Sequence, residues 1–361
     1  MADPRLLLFL SGHGFGHVAM TGPLVAALRR RLPGLDLVVA SPAPASILHA
    51  HIPGPFRHLD AAADFGVINA SALDVDVAAT VAAYRRLHRD WRGQVRRQAA
   101  ALEELAPDLV LSNIPYLPLA AAAEVGIPSL AVSSLNWGAI MAGYAGGRGD
   151  LAAVLDEIHG AYAAATAFLA PEPHMPMPRV PRLHRIGPLA RVGRRSGAEL
   201  RAALGLDPGT RLVMLNLGGI PTPIEPWTWP RIPGVAWLLP RAWYRPRPDH
   251  YPLDGVHWPF QDLLGACDAL VTKPGYGNVA GAVCNGVPVL YLRRGDWPEE
   301  PALVAWLRAR GHAREIARAR LADGAFAPEL EALWAMGTPR PVPATGAEEA
   351  ADRVLDLMPG G

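Results

Sequence analysis

At roughly 100–200 residues per domain, a chain of 361 residues is long enough for two domains. Surface scaling from about 56,000 Å² unfolded to about 14,000 Å² folded predicts that about three-quarters of its surface is buried. A formal charge of +1, from 34 basic and 33 acidic residues, excludes the basic excess of a generic nucleic-acid binder, and two cysteines, Cys267 and Cys284, exclude a disulfide scaffold.

In chain order, Arg5–Leu10 predicts a buried strand, too short in its apolar run for a signal peptide. The glycine-rich Ser11-Gly-His-Gly-Phe-Gly-His17 follows, then an apolar helix to about Leu32, closed by Pro33-Gly34. Apolar runs at Asp36–Ala40, Asp108–Ser112 and Pro128–Ser133 read as parallel strands separated by helices, hence a doubly wound α/β domain. Between them, Val75–Leu105 predicts one long amphipathic helix. It sets Arg85, Arg86, Arg89, Arg92, Arg96 and Arg97 against an apolar face of Tyr84, His88, Trp91, Val95 and Leu102. That pattern fits either a solvated face over a packed side or a surface for an anionic partner, with at most peripheral membrane contact. Val125–Gly147 lacks charges, but Pro128, Ser133, Ser134, Asn136 and its glycines argue against a membrane span. The expected protein is soluble, reduced and cytoplasmic.

Pro171–Pro188 is proline-rich and weakly periodic and reads as a linker. A second alternation opens with Arg211–Leu217 and Gly218-Gly219, which predicts a second strand–glycine loop–helix unit. Strands follow near Val235–Leu239, Ala269–Thr272 and Pro288–Leu292, with helices near Asn278–Asn285 and Pro301–Arg310. Thr345–Met358 predicts a last helix with Thr345 as its N-cap. The expected organisation is a first Rossmann-like domain over 1–172, a linker over 173–188 and a second such domain over 189–344. Helix 345–358 is expected to pack back on the first domain.

Two constellations carry chemistry. In Ser11–His17 a glycine loop between strand and helix presents backbone N–H groups to an anion or polar oxygen. Its spacing is not that of the dinucleotide fingerprint, and no ribose-binding acid follows about 20 residues on, which disfavours a dehydrogenase. His13 and His17 could be a metal pair, yet no third ligand is in reach by sequence. His17 can be a catalytic base, a polar ligand or a structural loop histidine. The second constellation is Asp268–Asn278, where a strand turns through Lys273-Pro-Gly-Tyr-Gly-Asn278 onto a helix N-terminus, a geometry that suits a diphosphate. Lys273 is the only lysine in the chain, and a compact ammonium is not interchangeable with a guanidinium. Downstream, Glu299 and Glu300 could bind sugar hydroxyls or serve as acids at a helix N-terminus.

These elements resemble the glycosyltransferases of the two-Rossmann-domain GT-B type, including the lipid-linked muropeptide N-acetylglucosaminyltransferase and the glycosyltransferase-like N-terminal region of arabinokinases. The resemblance rests on Ser11–His17, Asp64-Phe-Gly-Val67, Leu111-Ser-Asn-Ile-Pro115, Gly126–Val132, Lys273–Gly277, Gly286-Val-Pro288 and Glu299-Glu-Pro301. It implies two Rossmann-like domains facing across a cleft and transfer of a sugar from a nucleotide-diphosphate sugar to an acceptor hydroxyl. The reaction is expected to be inverting, with no metal or resident cofactor and uridine diphosphate as the expected nucleotide. A kinase half is not expected, since no second glycine-rich phosphate motif follows. By the same resemblance His17 is the base, with Asn113 at its partner's position, and Gly12, His13, Gly14 and Gly16 form the acceptor-side loop. Gly218, Gly219, Lys273, Gly275, Tyr276, Gly277 and Asn278 would border the donor phosphates, Phe260 the nucleobase, and Glu299 and Glu300 the donor sugar. Two positions depart from the pattern. Asn113 stands where relatives often carry aspartate, and Gly281 where many carry the glutamate that holds ribose. A binding module without turnover and a nucleotide-sugar epimerase are the alternative functions.

Overall fold

The computed structural model describes residues 3–71, 73–146, 151–219 and 222–358. Its first half builds a parallel sheet from β1 (Arg5–Leu10), β2 (Asp36–Ala40), β3 (Arg57–Leu59), β4 (Leu109–Asn113), β5 (Ser129–Val132), β6 (Ala167–Pro171) and β7 (Leu183–Ile186). The strand order is β3-β2-β1-β4-β5-β6-β7. The second half builds another from β8 (Arg211–Leu215), β9 (Val235–Leu239), β10 (His250–Pro252), β11 (Ala269–Thr272), β12 (Val289–Tyr291) and β13 (Ala313–Glu315), in the order β10-β9-β8-β11-β12-β13. Helices cover both faces of such sheets, so the central strands are apolar on both sides. Leu6, Leu8, Leu109, Leu111, Leu212, Met214 and Leu270 are fully buried. In each sheet the strand order reverses once, between β1 and β4 and between β8 and β11. Open α/β sheets bind ligands at the carboxyl ends of the strands flanking such a reversal.

Three expectations are corrected. The stretch 173–188 is not a bare linker, because β7 lies inside it and extends the first sheet by pairing with β6 from Phe168–Leu183 to Pro171–Ile186. The helix expected over Val75–Leu105 is two helices, Val77–His88 and Trp91–Leu105, broken at Asp90. Gly93 leaves room for the Asp90 carboxylate to fold over the second helix's first turn, where any Cβ would overlap it. The apolar face of this pair is packed, with His88 held by Glu157 Oε2 at 2.6 Å and Tyr116 Oη at 2.8 Å, and the six arginines face outward. Third, among the described residues no α-helix lies between Gly218-Gly219 and β9. Among the described residues the β8–β9 crossover holds only a single 3₁₀ turn, Pro226–Thr228. Pro221, Pro223, Pro226, Pro230 and Pro233 each remove a backbone donor, which denies this segment a helical ladder.

The last helix, Gly346–Leu355, lies against the first half. Arg30 and Arg31 of the helix Gly16–Arg31 pair with Glu348 and Asp352, and Gly187 N–H donates to Glu349 at 3.1 Å. Thr345 holds the N-cap position without a side-chain cap bond. Any Cβ on Gly346 would overlap the Gly187 carbonyl. Gly346→Ala should therefore destabilise the protein by about 1–3 kcal/mol through overpacking. The expected readout is a lower apparent Tm together with faster amide exchange over 346–355; unchanged exchange there would show that the helix is held elsewhere.

Candidate active site

The first reversal brings together the glycine loop after β1 and the end of β4. Ser11 N–H donates to Asn113 O at 3.0 Å, and Gly14 turns the loop in the left-handed region at φ +71°. No atom lies within 4 Å of where a Cβ would stand on Gly14 or Gly16, whereas Gly12 lies tight against Pro42. Behind the loop Asp64 accepts from Ser11 Oγ at 2.8 Å and from Trp137 Nε1 at 2.6 Å. Burial pushes its carboxyl up to about 6.

His17, the second residue of the following helix, is 7% exposed. Its Nδ1 lies 2.9 Å from Asn113 Oδ1. The Asn113 amide nitrogen donates to Thr21 Oγ1 at 2.9 Å, which orients the amide so that its oxygen faces the imidazole. Nδ1–H therefore donates to Asn113, and Nε2 carries the free lone pair. Desolvation lowers His17 to about 4, with the Asn113 bond opposing it. His13 has the opposite tautomer. Val67 N–H donates to its Nδ1 at 3.4 Å, so Nε2 holds the proton. Burial, helped by the charges of His17, Arg294 and Lys273, lowers His13 to about 3. Among the described residues no group of three or more His, Cys, Asp or Glu side chains is placed to hold a metal ion.

The second reversal brings together the ends of β8 and β11. Asn216 Oδ1 accepts from Gly218 N–H at 3.0 Å, and Gly218 sits at φ +85°. Lys273 lies across it, with Cε 3.6 Å from where a Gly218 Cβ would stand. Burial and the neighbouring Arg294 charge lower Lys273 to about 7, with Glu299 opposing. Gly275 precedes and Gly277 lies in the first turn of the helix Tyr276–Cys284, and neither has an atom within 4 Å of a Cβ position. Beside Gly218 and Gly219 opens a cavity of about 520 Å³ walled by Ile224, Trp227, Pro240 and Trp243.

Several of the expected donor-site side chains are engaged within the protein itself. Asn278 Nδ2 donates to Thr272 Oγ1 at 2.8 Å and to Asn216 O at 3.1 Å, tying the two strand ends together. The Tyr276 hydroxyl accepts from Leu189 N–H at 2.8 Å and donates to Glu172 O at 3.1 Å. Its hydroxyl thus braces the segment joining the two sheets. Glu300 accepts from Arg294 N–H at 2.7 Å and holds the loop after β12. Phe260 is half-buried and starts the helix Phe260–Gly265. Gly281 is buried, and a Cβ there would meet Leu264 at 3.2 Å, so this position does not offer a side chain to the cleft.

The halves meet over the two loops. Phe15 of the first loop lies against Gly219, where a Cβ would approach its ring to 2.9 Å. Ser134 Oγ, just past β5, donates to Glu299 Oε1 at 2.6 Å, and Trp297 Nε1 donates to Oε2 at 3.0 Å. Glu299 is 3% exposed, and burial raises its carboxyl. Trp297 stacks on His13 with ring centroids 6.1 Å apart, while His13 meets Trp137 edge-on at 5.3 Å. Sequence reasoning missed three residues here: Asp64, whose only signal was its place in a motif, Ser134, and Arg294.

Acid stability follows from the buried imidazoles. An unfolded histidine binds its proton below about 6.5, whereas His13 and His17 stay neutral to about 3 and 4. As pH falls from about 6.5 to 4 the unfolded chain takes up more protons, and stability falls in that window. Asp64, raised to about 6, acts in the opposite sense for one proton. His13→Phe, which keeps a ring against Trp297, should narrow the gap in Tm between pH 7 and pH 5. An unaltered gap would place the acid sensitivity elsewhere.

No protein-family model matches the chain. It is 27% identical over 339 residues to the L-arabinokinase of Arabidopsis thaliana, covering 90% of this chain. The chain spans 31% of the length of that relative. Among solved structures, the glycotransferase of kitacinnamycin superposes with a TM-score of 0.62 at 20% identity, over 99% of this chain and 100% of that one. The calicheamicin glycosyltransferase CalG4 gives 0.58 at 18% identity, over 98% of each chain. A putative UDP-N-acetylglucosamine 2-epimerase from Listeria monocytogenes gives 0.56 at 13% identity, over 98% of this chain and 95% of its own. The fold is therefore GT-B: two Rossmann-like α/β halves facing across a cleft. Among the described residues no helix is long and apolar enough to cross a membrane.

Proposed function

We propose that this chain is a glycosyltransferase that moves a sugar from a nucleoside diphosphate to an acceptor hydroxyl. The observation that carries the reading is the pairing of two unlike ends across one cleft. On one side stands an imidazole whose Nε2 is a free lone pair and whose Nδ1–H is anchored on Asn113. On the other stands Lys273, over a glycine loop and beside a helix N-terminus. In this reading the donor diphosphate lies on the C-terminal side, with uridine diphosphate as the expected nucleotide. Lys273, the loop at Gly218-Gly219 and the N–H groups after Gly275 meet the charge that develops on the leaving group. His17 removes the proton from the acceptor hydroxyl as the anomeric carbon is attacked from the opposite face, which inverts it. The division at about 172 and 189 would then separate acceptor from donor binding. The acceptor sits over Gly12–Gly16, and no resident cofactor is required.

A second reading, a binding module with little turnover, is favoured by the same imidazole. Burial lowers it from 6.5 to about 4, which weakens its affinity for the acceptor proton. Asn113 also adds no negative charge to stabilise an imidazolium. Incubation with a panel of nucleotide sugars and alcohol acceptors separates the readings. Acceptor-dependent release of free nucleoside diphosphate is expected. Binding without release would favour the module, and interconversion of the intact donor would favour an epimerase.

A further inference from the structure

The loop after β12 carries a cation that nothing above employs. Arg294 is 6% exposed, yet its Nε and Nη2 atoms are buried without a hydrogen-bond partner, and among the described residues it makes no ion pair. Donors of a charged group are costly to leave buried and unmatched. Its surroundings are built rather than loose. Arg294 N–H is held by Glu300, its carbonyl accepts from Arg318, and its guanidinium lies over the Trp297 ring at 4.3 Å. Arg318 in turn pairs with Asp74 of the first half at 2.9 Å. The backbone is clamped at both sides, and the charged head faces the interface between the halves, where its field reaches His13 and Lys273.

Lys273 makes no ion pair among the described residues either, and the carboxylate whose charge both cations feel, Glu299, already accepts from Ser134 and Trp297. Two neighbouring cations with unmatched donors, one rigid and bidentate, the other a point charge, are the complement of an oxyanion.

We propose that Arg294 is an anion-recognition residue of the cleft, which together with Lys273 holds an oxyanion of the donor by paired N–H bonds. The proposal rests on the donor reading above. The oxyanion has two possible sources, the diphosphate itself or a carboxylate on the donor sugar, and both offer the planar or near-planar pair of oxygens a guanidinium matches.

The test is calorimetric affinity of the wild-type chain, Arg294→Gln and Arg294→Lys for inorganic pyrophosphate, UDP, UDP-glucose and UDP-glucuronate, with melting curves to show that each variant is folded. If the diphosphate is the source, Arg294→Gln weakens all four at least tenfold, and Arg294→Lys falls several-fold short of wild type. If a sugar carboxylate is the source, the wild type prefers UDP-glucuronate to UDP-glucose at least tenfold, and only that preference is lost in Arg294→Gln. Wild-type affinities in Arg294→Gln for every probe would overturn the proposal. Should that variant not fold, wild-type affinities in Arg294→Lys would overturn it. Pyrophosphate bound in an Arg294-dependent way by a chain that binds no nucleotide would uphold the anion site while removing the donor reading. A wild-type chain that binds none of the four would remove both.

Discussion

Alanine in place of His17 is expected to lower turnover about 10²–10⁴-fold, the usual contribution of a positioned general base, while affinity for nucleoside diphosphate stays within about twofold. The imidazole stands at the switch point of the first sheet, whereas the cations proposed to hold phosphate extend from the second. Its own environment predicts the companion result. Asn113 fixes the tautomer that a base needs but adds no charge, and burial holds the imidazole at about 4. Asn113→Asp puts a carboxylate on Nδ1–H and should raise both the histidine pKa and turnover, the latter at least tenfold. The lower limb of the pH–rate profile should move up in pH with it. Full activity in His17→Ala would remove the base assignment, and a pH profile unmoved by Asn113→Asp would show that the titrating group is not this imidazole.

The second large effect is expected at Lys273. Its ammonium lies over Gly218 and has no ion pair among the described residues, so a bound diphosphate gives it a counter-charge. Lys273→Ala should weaken nucleoside diphosphate binding by about 1–3 kcal/mol, the range for a charge-assisted hydrogen bond, or about 5–150-fold. The lysine also predicts proton linkage. Burial and Arg294 hold it at about 7, so near pH 8 most molecules carry a neutral amine. An anion raises the pKa again, and binding at pH 8 should take up close to one proton. Calorimetry in two buffers of different ionisation enthalpy measures that uptake, which should vanish in Lys273→Ala. Equal apparent enthalpies in both buffers for the wild type would show that the lysine does not meet the anion.

Much of this site was legible in the sequence because it is local. Glycine loops after apolar runs, a histidine inside one and a lone lysine inside the other are features of consecutive residues, and the strands that carry them are long and apolar. What was not legible depends on distant partners. Ser134 reaches Glu299 across 165 positions, and the unmatched donors of Arg294 are a property of its surroundings. Short or half-exposed strands such as β3 and β13 lack the buried run that betrays β1 or β8. The reading of β7 as linker failed because its edge position leaves His184 and Arg185 exposed, which removes the apolar pattern. The proline spacing after Gly219 is by contrast a signal readable in the sequence, since each proline removes a helical donor.

Transfer requires that one cleft bring an activated hydroxyl to a donor held by its diphosphate. A single-turnover reaction with an anomerically defined UDP-sugar and a panel of alcohol acceptors tests this most directly, with free UDP and the anomeric proton coupling of the product both recorded. The predicted result is UDP released in step with a glycoside of inverted configuration, slowed at least a hundredfold in His17→Ala at unchanged UDP affinity. Retained configuration, or UDP release as fast in His17→Ala as in the wild type, would contradict it.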